Sequence, residues 1–250
     1  MNKAVANSPD DNARGMLATP VDALRYGGEV QADVDPWEAS GMLRALVPDG
    51  ARVLDIGCGT GAMALYVSRG RNVEIVGIEP DRDRAVLARE RGFEVIDGLA
   101  TREALADKGD FDVVMLADVL EHVPSPDQLL RIATEKLKPD GRVIASIPNV
   151  AHWTVRRDLL RGKFDYKDSG IMDATHLRWF TRHTVRTLFE HCGLELISME
   201  ATAGAWMPEY RALPWRMVPF RDAVVHRLGR YVPALFGCQH VVEARLRSAR

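Results

Sequence analysis

The sequence predicts an α/β fold built on a doubly wound, mostly parallel sheet of the Rossmann-like kind. From residue 51 onward, short β-branched runs alternate with helical stretches, the rhythm of strand–helix–strand units. The run FDVVMLAD at 111–118 is almost wholly apolar, as strands covered on both faces tend to be. The first run opens through VLDIGCGTG at 53–61, a glycine-rich turn between a strand and a helix.

The elements follow in order. ARVLDI is the first strand, and TGAMALYVSRG reads as a helix leaving the glycine loop. NVEIVGIE is a second buried strand, and DRDRAVLARERG a helix with Asp81 near its start and Gly92 at its end. FEVID is a third strand, followed by a short helical stretch at 102–106. After the fourth strand, Ser125 or Asp127 can cap the helix PDQLLRIATEKLK, which PDG is expected to close; GRVIASIP is the fifth strand. Right-handed crossovers place the loops after strands one, two and four along one sheet edge, where ligands bind. Beyond residue 148 the rhythm breaks into an aromatic, basic insert over 148–180. Thr181 then caps RHTVRTLFEHC, LELISMEA resumes a strand, a second irregular insert spans 203–236, and GCQHVVEARL is a last strand. Neither an internal repeat nor a linker divides the chain, so residues 36–250 read as one domain preceded by a flexible N-terminal arm over 1–35.

Composition narrows the function. An apolar content of 46% with 27% charged residues is that of a soluble globular enzyme. A net charge of −2 offers no basic footprint for nucleic acid. Three widely spaced cysteines, Cys58, Cys192 and Cys238, suit neither a disulfide framework nor a zinc site, and no metal is expected. With no signal-peptide pattern and no apolar run of membrane-spanning length, a cytoplasmic location is expected.

Gly57, Gly59 and Gly61 satisfy a loose dinucleotide pattern, and Glu79 could take ribose hydroxyls in more than one kind of site. Asp55 discriminates. It lies two residues before Gly57, where a carboxylate would repel a pyrophosphate but favour a cationic ligand.

Taken together, VLDIGCGTG, the acid in GIEPD, FDVVMLADVLEHVPSP and LKPDGRVIASIPN resemble class I S-adenosylmethionine-dependent methyltransferases, over residues 36 to about 200. Within that family the chain is most similar to the small-molecule branch, which includes ubiquinone-biosynthesis enzymes and methyltransferases encoded with bacterial cell-surface glycan genes. NVAHWTVRRDLLRGKFDY and DATHLRWFT look closest to the glycan-associated group. The resemblance implies a seven-stranded sheet with an antiparallel last strand at 238–246. It also implies that Asp55, Gly57, Cys58, Gly59 and Gly61 line the methionine and ribose end of S-adenosylmethionine. Glu79 would bind the ribose, with Pro80 and Asp81 beside the adenosine, Asp97 and Gly98 near the adenine, and Asp118 near the methionine amino group. S-adenosylhomocysteine would be the product, and a small-molecule or glycan hydroxyl the acceptor.

For a hydroxyl acceptor, a base near the ligand edge helps, and histidine titrates in the right range. His122 stands just past strand four and is read as a base or substrate ligand, against a structural role bonded to a loop carbonyl. His152 and His176 lie in the insert that should roof the acceptor pocket; each is a catalytic candidate or a packing residue. Asp173 and Arg178 bracket His176. Residues 206–236 mix large apolar groups with several arginines, suiting a pocket lid, a homodimer contact, or a peripheral contact with a membrane or lipid-linked substrate. Two rival functions stay open: a non-catalytic regulatory module that binds S-adenosylmethionine, and an NAD-dependent oxidoreductase.

Overall fold

A computed structural model describes residues 35–247. The N-terminal arm expected over 1–35 falls almost wholly outside the described residues. Seven strands form one sheet in the order β3-β2-β1-β4-β5-β7-β6. They are β1 (Arg52–Ile56), β2 (Glu74–Glu79), β3 (Glu94–Asp97), β4 (Phe111–Ala117), β5 (Leu137–Pro148), β6 (Leu194–Ala201) and β7 (Gln239–Leu246). The first five run parallel to one another, while β7 is antiparallel to both β5 and β6. The expected fold class, including the antiparallel last strand, is the one observed.

Side chains alternate across a strand, and here that alternation feeds two separate cores. Leu54, Ile56, Val76, Ile78, Val114, Leu116 and Ala145 pack on one face with α4 (Pro126–Thr134) and α6 (Arg182–His191), through Leu130, Ala133, Val185 and Phe189. The intervening Val53, Ile75, Val113, Met115 and Ile144 pack on the other face with α1 (Ala39–Leu46) and α2 (Ala62–Ser68), through Leu43, Ala64 and Val67. Burying each large side chain of this kind is worth about 1.5–3 kcal/mol. Continuous apolar runs are the sequence signature of a sheet covered on both faces.

Local signals set several helix ends. Asp81 caps α3 (Arg82–Glu90), its Oδ1 accepting from the amides of Asp83 and Arg84. Thr181 and Thr184 form a reciprocal capping box at the start of α6. Ser125 occupies the cap position of α4 without a side-chain bond, and Pro126 takes the first turn.

Two expectations need correction. Helix α4 stops at Thr134, and the LKPDG segment already belongs to β5, where Leu137 pairs with Phe111 ahead of a register shift. Extra pairing to β4 wins over the helical propensity of Glu135–Lys138. The helical stretch expected at 102–106 is a turn followed by a 3-10 helix at Ala106–Lys108.

The two inserts share one small core. The first carries α5 (Trp153–Leu160); the second carries α7 (Pro208–Arg211), α8 (Arg221–Tyr231) and α9 (Pro233–Phe236). Val155, Ile171 and Met172 from the first meet Met207, Tyr210 and Val225 from the second. Tyr210 is fully buried, and its hydroxyl accepts from Trp153 Nε1 at 2.8 Å and lies 3.1 Å from His152 Nε2. The two irregular stretches are therefore one packed structure.

Candidate active site

The parallel strands carry their ends, and the loops after them, to one sheet edge. The order reverses there between β1 and β4, the switch point at which open α/β sheets bind ligands. Gly57, Gly59 and Gly61 all adopt left-handed backbone, with φ of 72°, 55° and 76°, a region that only glycine enters freely. Their surroundings differ. A Cβ on Gly61 would press on Ala88 and Phe93 at 3.1–3.2 Å, and one on Gly57 would strike Val119 at 2.9 Å. A Cβ on Gly59 would meet nothing within 4 Å. Gly57 and Gly61 thus serve close packing, while Gly59 borders open space. Cys58 turns inward, against Gly77, Ala85, Ala88 and Val95, and burial raises its thiol far above the usual range. Its side chain is a packing element of the loop, so of the residues expected to line the cofactor it is the one turned into the core.

Asp55 pairs in register with Gly77, and Glu79 stands two residues further along β2, so both acids project from the same sheet face. Glu79 is buried and engaged: Oε2 accepts from Gly59 N–H at 2.8 Å and Oε1 from Asp81 N–H at 3.0 Å. Asp55 is 1% exposed, and neither of its carboxylate oxygens has a hydrogen-bond partner. Desolvation, with the charge of Glu79 adding to it, pushes its pKa up to about 8. A buried carboxylate with no donors is costly unless a ligand supplies positive charge or hydrogen bonds.

Next along the edge, Asp97 aligns with Glu79 and is paired with Arg89 at 2.5 Å; Gly98 sits beside it with φ 123°, and Pro80 is exposed. Past β4, Asp118 takes a left-handed φ of 53°. Its Oδ1 accepts from Ser146 Oγ at 3.0 Å and Gln239 Nε2 at 2.6 Å. Strands β5 and β7 thereby fix the acid after β4.

Beyond Asp118, a 3-10 turn over Leu120–His122 is tied to the first insert: the amides of Leu177 and Arg178 both donate to the Glu121 carbonyl. His122 Nδ1 lies 3.1 Å from Thr175 Oγ1 and 3.3 Å from the Thr175 carbonyl. Thr175 Oγ1 donates its proton to Asp173 Oδ1 at 2.6 Å, so both Thr175 oxygens can only accept from the ring. His122 therefore carries its proton on Nδ1 and keeps a lone pair on Nε2. Burial lowers its pKa, which favours that neutral form. His176 is buried where His122 is half-buried; its Nδ1 lies 3.1 Å from the Ile171 carbonyl, and its ring meets that of His122 edge-on at 4.8 Å. Glu121 is 1% exposed, and neither carboxylate oxygen has a partner.

His152 has a different fate. It caps α5, with Nδ1 2.8 Å from Thr154 Oγ1 and Nε2 on Tyr210, so both nitrogens are used within the protein. Burial lowers its pKa to about 4. Thr175, Ser146 and Gln239 were not anticipated from sequence. Each lay in a stretch that the sequence had marked, Ser146 in LKPDGRVIASIPN, Thr175 in DATHLRWFT and Gln239 in GCQHVVEARL, but nothing local pointed to the residue itself.

Comparison with known proteins bears on the family and the fold. Residues 37–199 match a family model described as a methyltransferase domain. Ubiquinone biosynthesis O-methyltransferases are similar over part of the chain. That of Xanthomonas axonopodis pv. citri is 33% identical over 49% of this chain and 58% of its own length; that of Azorhizobium caulinodans is 39% identical over 42% and 44%. The chain thus spans about half the length of the curated relatives it matches. Among solved structures, a SAM-dependent methyltransferase from Archaeoglobus fulgidus superposes with a TM-score of 0.56 at 23% identity, over 82% of this chain and 91% of that one. The Burkholderia thailandensis 1,6-didemethyltoxoflavin-N1-methyltransferase, solved with S-adenosylhomocysteine and 1,6-didemethyltoxoflavin bound, gives 0.57 at 19% identity, over 99% and 94%. At such identities the structural likeness is one of fold.

Proposed function

The chain belongs to the methyltransferase-domain family, and on that premise we propose that it methylates a hydroxyl of a small-molecule acceptor with S-adenosylmethionine as donor. The observation that carries this reading is Asp55, a buried carboxylate without partners at the root of a glycine loop whose Gly59 borders open space. That arrangement suits a ligand with a cationic end and no phosphate, and it disfavours a dinucleotide.

When bound, the cofactor supplies a methyl group already activated by its sulfonium. The chain's own task is alignment, worth about 7–11 kcal/mol in well-oriented systems. Asp55 and Asp118 hold the methionine end by charge. Glu79, its orientation fixed by the Gly59 and Asp81 amides, offers its remaining lone pairs to the ribose hydroxyls. Gly98 and Asp97 border the adenine, and Gly59 lets the backbone approach the ligand. His122 is assigned to the acceptor: with Nδ1 spent on Thr175, its Nε2 lone pair is left to bind or activate the acceptor's oxygen. The hydroxyl class rests on relatives whose names are those of O-methyltransferases.

For the acceptor's wider setting, the second insert is informative. Phe220 and Met217 are 87% and 77% exposed among Arg211, Arg216, Arg227 and Arg230, for which no ion pair is found among the described residues. Exposed apolar groups with unpaired cations near them in sequence support a lipid-linked or otherwise amphiphilic acceptor that carries negative charge, a glycan on a lipid carrier included. Among the described residues no helix is long and apolar enough to cross a membrane.

The test is S-adenosylhomocysteine formation across a panel of hydroxylated phenols, sugars and lipid-linked sugars. Turnover with any of them, lost in Asp55→Ala, supports the reading. Cofactor binding with no turnover across the panel would favour a regulatory module.

A further inference from the structure

Glu121, His122 and His176 offer one ligand atom each, and these atoms lie within 4.8 Å of one another. We propose that the three side chains form a binding site for a divalent transition-metal ion of the zinc or cobalt type. Two imidazoles and a carboxylate are a donor set such ions accept, with open positions left over.

Three independent features support the site. First, both imidazoles are pre-set as ligands. A histidine that binds metal through one nitrogen donates its other N–H to a carbonyl or an acid-linked partner. Here His176 Nδ1 faces the Ile171 carbonyl at 3.1 Å, and His122 Nδ1 faces Thr175, whose hydroxyl is fixed in turn by Asp173 at 2.6 Å. Both Nε2 lone pairs are left free. Second, Glu121 is buried with no hydrogen-bond partner on either oxygen. An ion would supply the partner that this carboxylate lacks. Third, the pieces are rigidly joined. The Glu121 carbonyl accepts from the amides of Leu177 and Arg178, which follow His176 directly and hold the insert against the 3-10 turn. Ligands on a zinc ion at about 2.1 Å stand roughly 3.4 Å apart in a tetrahedron, so closure from the observed spacing needs about an ångström of movement.

Sequence reading foresaw no metal because the ligands come from two segments separated by more than fifty residues. The role of the ion, unlike its binding, rests on the methyl-transfer reading. An acceptor oxygen in an open position would lose its proton to water more readily, which sharpens His122 from a direct partner of the acceptor into a ligand of the ion that holds it.

The experiment uses the full chain after chelation and dialysis, titrated with Co²⁺ while the visible d–d absorption is followed, and separately with Zn²⁺ by equilibrium dialysis. One ion per chain is expected, with an absorption band indicating imidazole ligation at low coordination number. Glu121→Gln and His176→Asn should each weaken binding by 100-fold or more, and Thr175→Val by about tenfold through the loosened His122. Gln matches the shape of a protonated Glu121, and thermal unfolding of each variant checks its fold. S-adenosylhomocysteine binding, measured in parallel, should be nearly unchanged in Glu121→Gln, so failure of the metal site and failure of the cofactor reading give different results. Absence of stoichiometric binding to the wild type, or equal binding by wild type and both ligand variants, would overturn the proposal.

Discussion

Glu79 Oε2 accepts a hydrogen bond from the Gly59 amide at 2.8 Å. The acid that ends β2 thereby fixes the middle of the glycine loop that ends β1. It follows that Glu79 acts on the cofactor twice, as a ribose acceptor and as the clamp that shapes the loop. Glu79→Ala should weaken S-adenosylhomocysteine binding by about 10- to 100-fold, since hydrogen bonds to charged groups contribute roughly 1.5–3 kcal/mol. Isothermal titration measures this directly; an unchanged affinity would remove Glu79 from the site.

The neighbouring glycines should separate binding from folding. Gly59→Ala places a methyl in open space at the cost of a left-handed backbone, about 1–2 kcal/mol. Gly61→Ala carries the same backbone cost and also presses on Ala88 and Phe93. Urea unfolding should show Gly61→Ala as the less stable of the two, whereas cofactor affinity should fall further in Gly59→Ala.

Asp55 predicts a pH dependence with a definite sign. Its pKa rises from 3.8 to about 8 in the ligand-free fold, so between those values the folded chain holds a proton that the unfolded chain has released. Stability contributed at this site then falls as pH rises across that window, by several kcal/mol in total, and levels off above it. Asp55→Asn removes the effect. The stability difference between Asp55→Asn and wild type, from denaturant unfolding without ligand, should grow in favour of the variant from pH 5 to pH 8. A constant difference would show that Asp55 is not the buried, unpaired acid described here.

Tyr210 joins the two inserts through one hydroxyl. Tyr210→Phe leaves Trp153 Nε1 and His152 Nε2 without that partner in a buried core, a loss of about 1–3 kcal/mol. Thermal unfolding should show the drop, with cofactor affinity retained.

These residues also mark where the sequence was legible. The strands were readable because apolar runs and glycine turns are local signals, and a sheet buried on both faces leaves them uninterrupted. Asp55 and Glu79 were readable because their spacing from the glycines fixes them at strand ends. The end of α4 was not, because a pairing between Leu137 and Phe111 depends on a strand some 26 residues away. Nor could the link from Asp173 through Thr175 to His122 be read, since the insert reaches the 3-10 turn only in three dimensions. Within the inserts no periodicity announced Tyr210 as the centre of a core. His152, a candidate for chemistry in sequence, holds a helix end and a tyrosine in the fold.

The central claim is that the acidic glycine loop binds S-adenosylmethionine. Thermal unfolding of wild type and Asp55→Ala with S-adenosylhomocysteine, with NAD, and with neither tests it most directly. A ligand at a hundred times its Kd adds about 2.7 kcal/mol, which raises Tm by roughly 5–10 °C in a chain of this size. The account predicts that rise for wild type with S-adenosylhomocysteine, little or none with NAD, and its loss in Asp55→Ala. A rise with NAD but none with S-adenosylhomocysteine would contradict it.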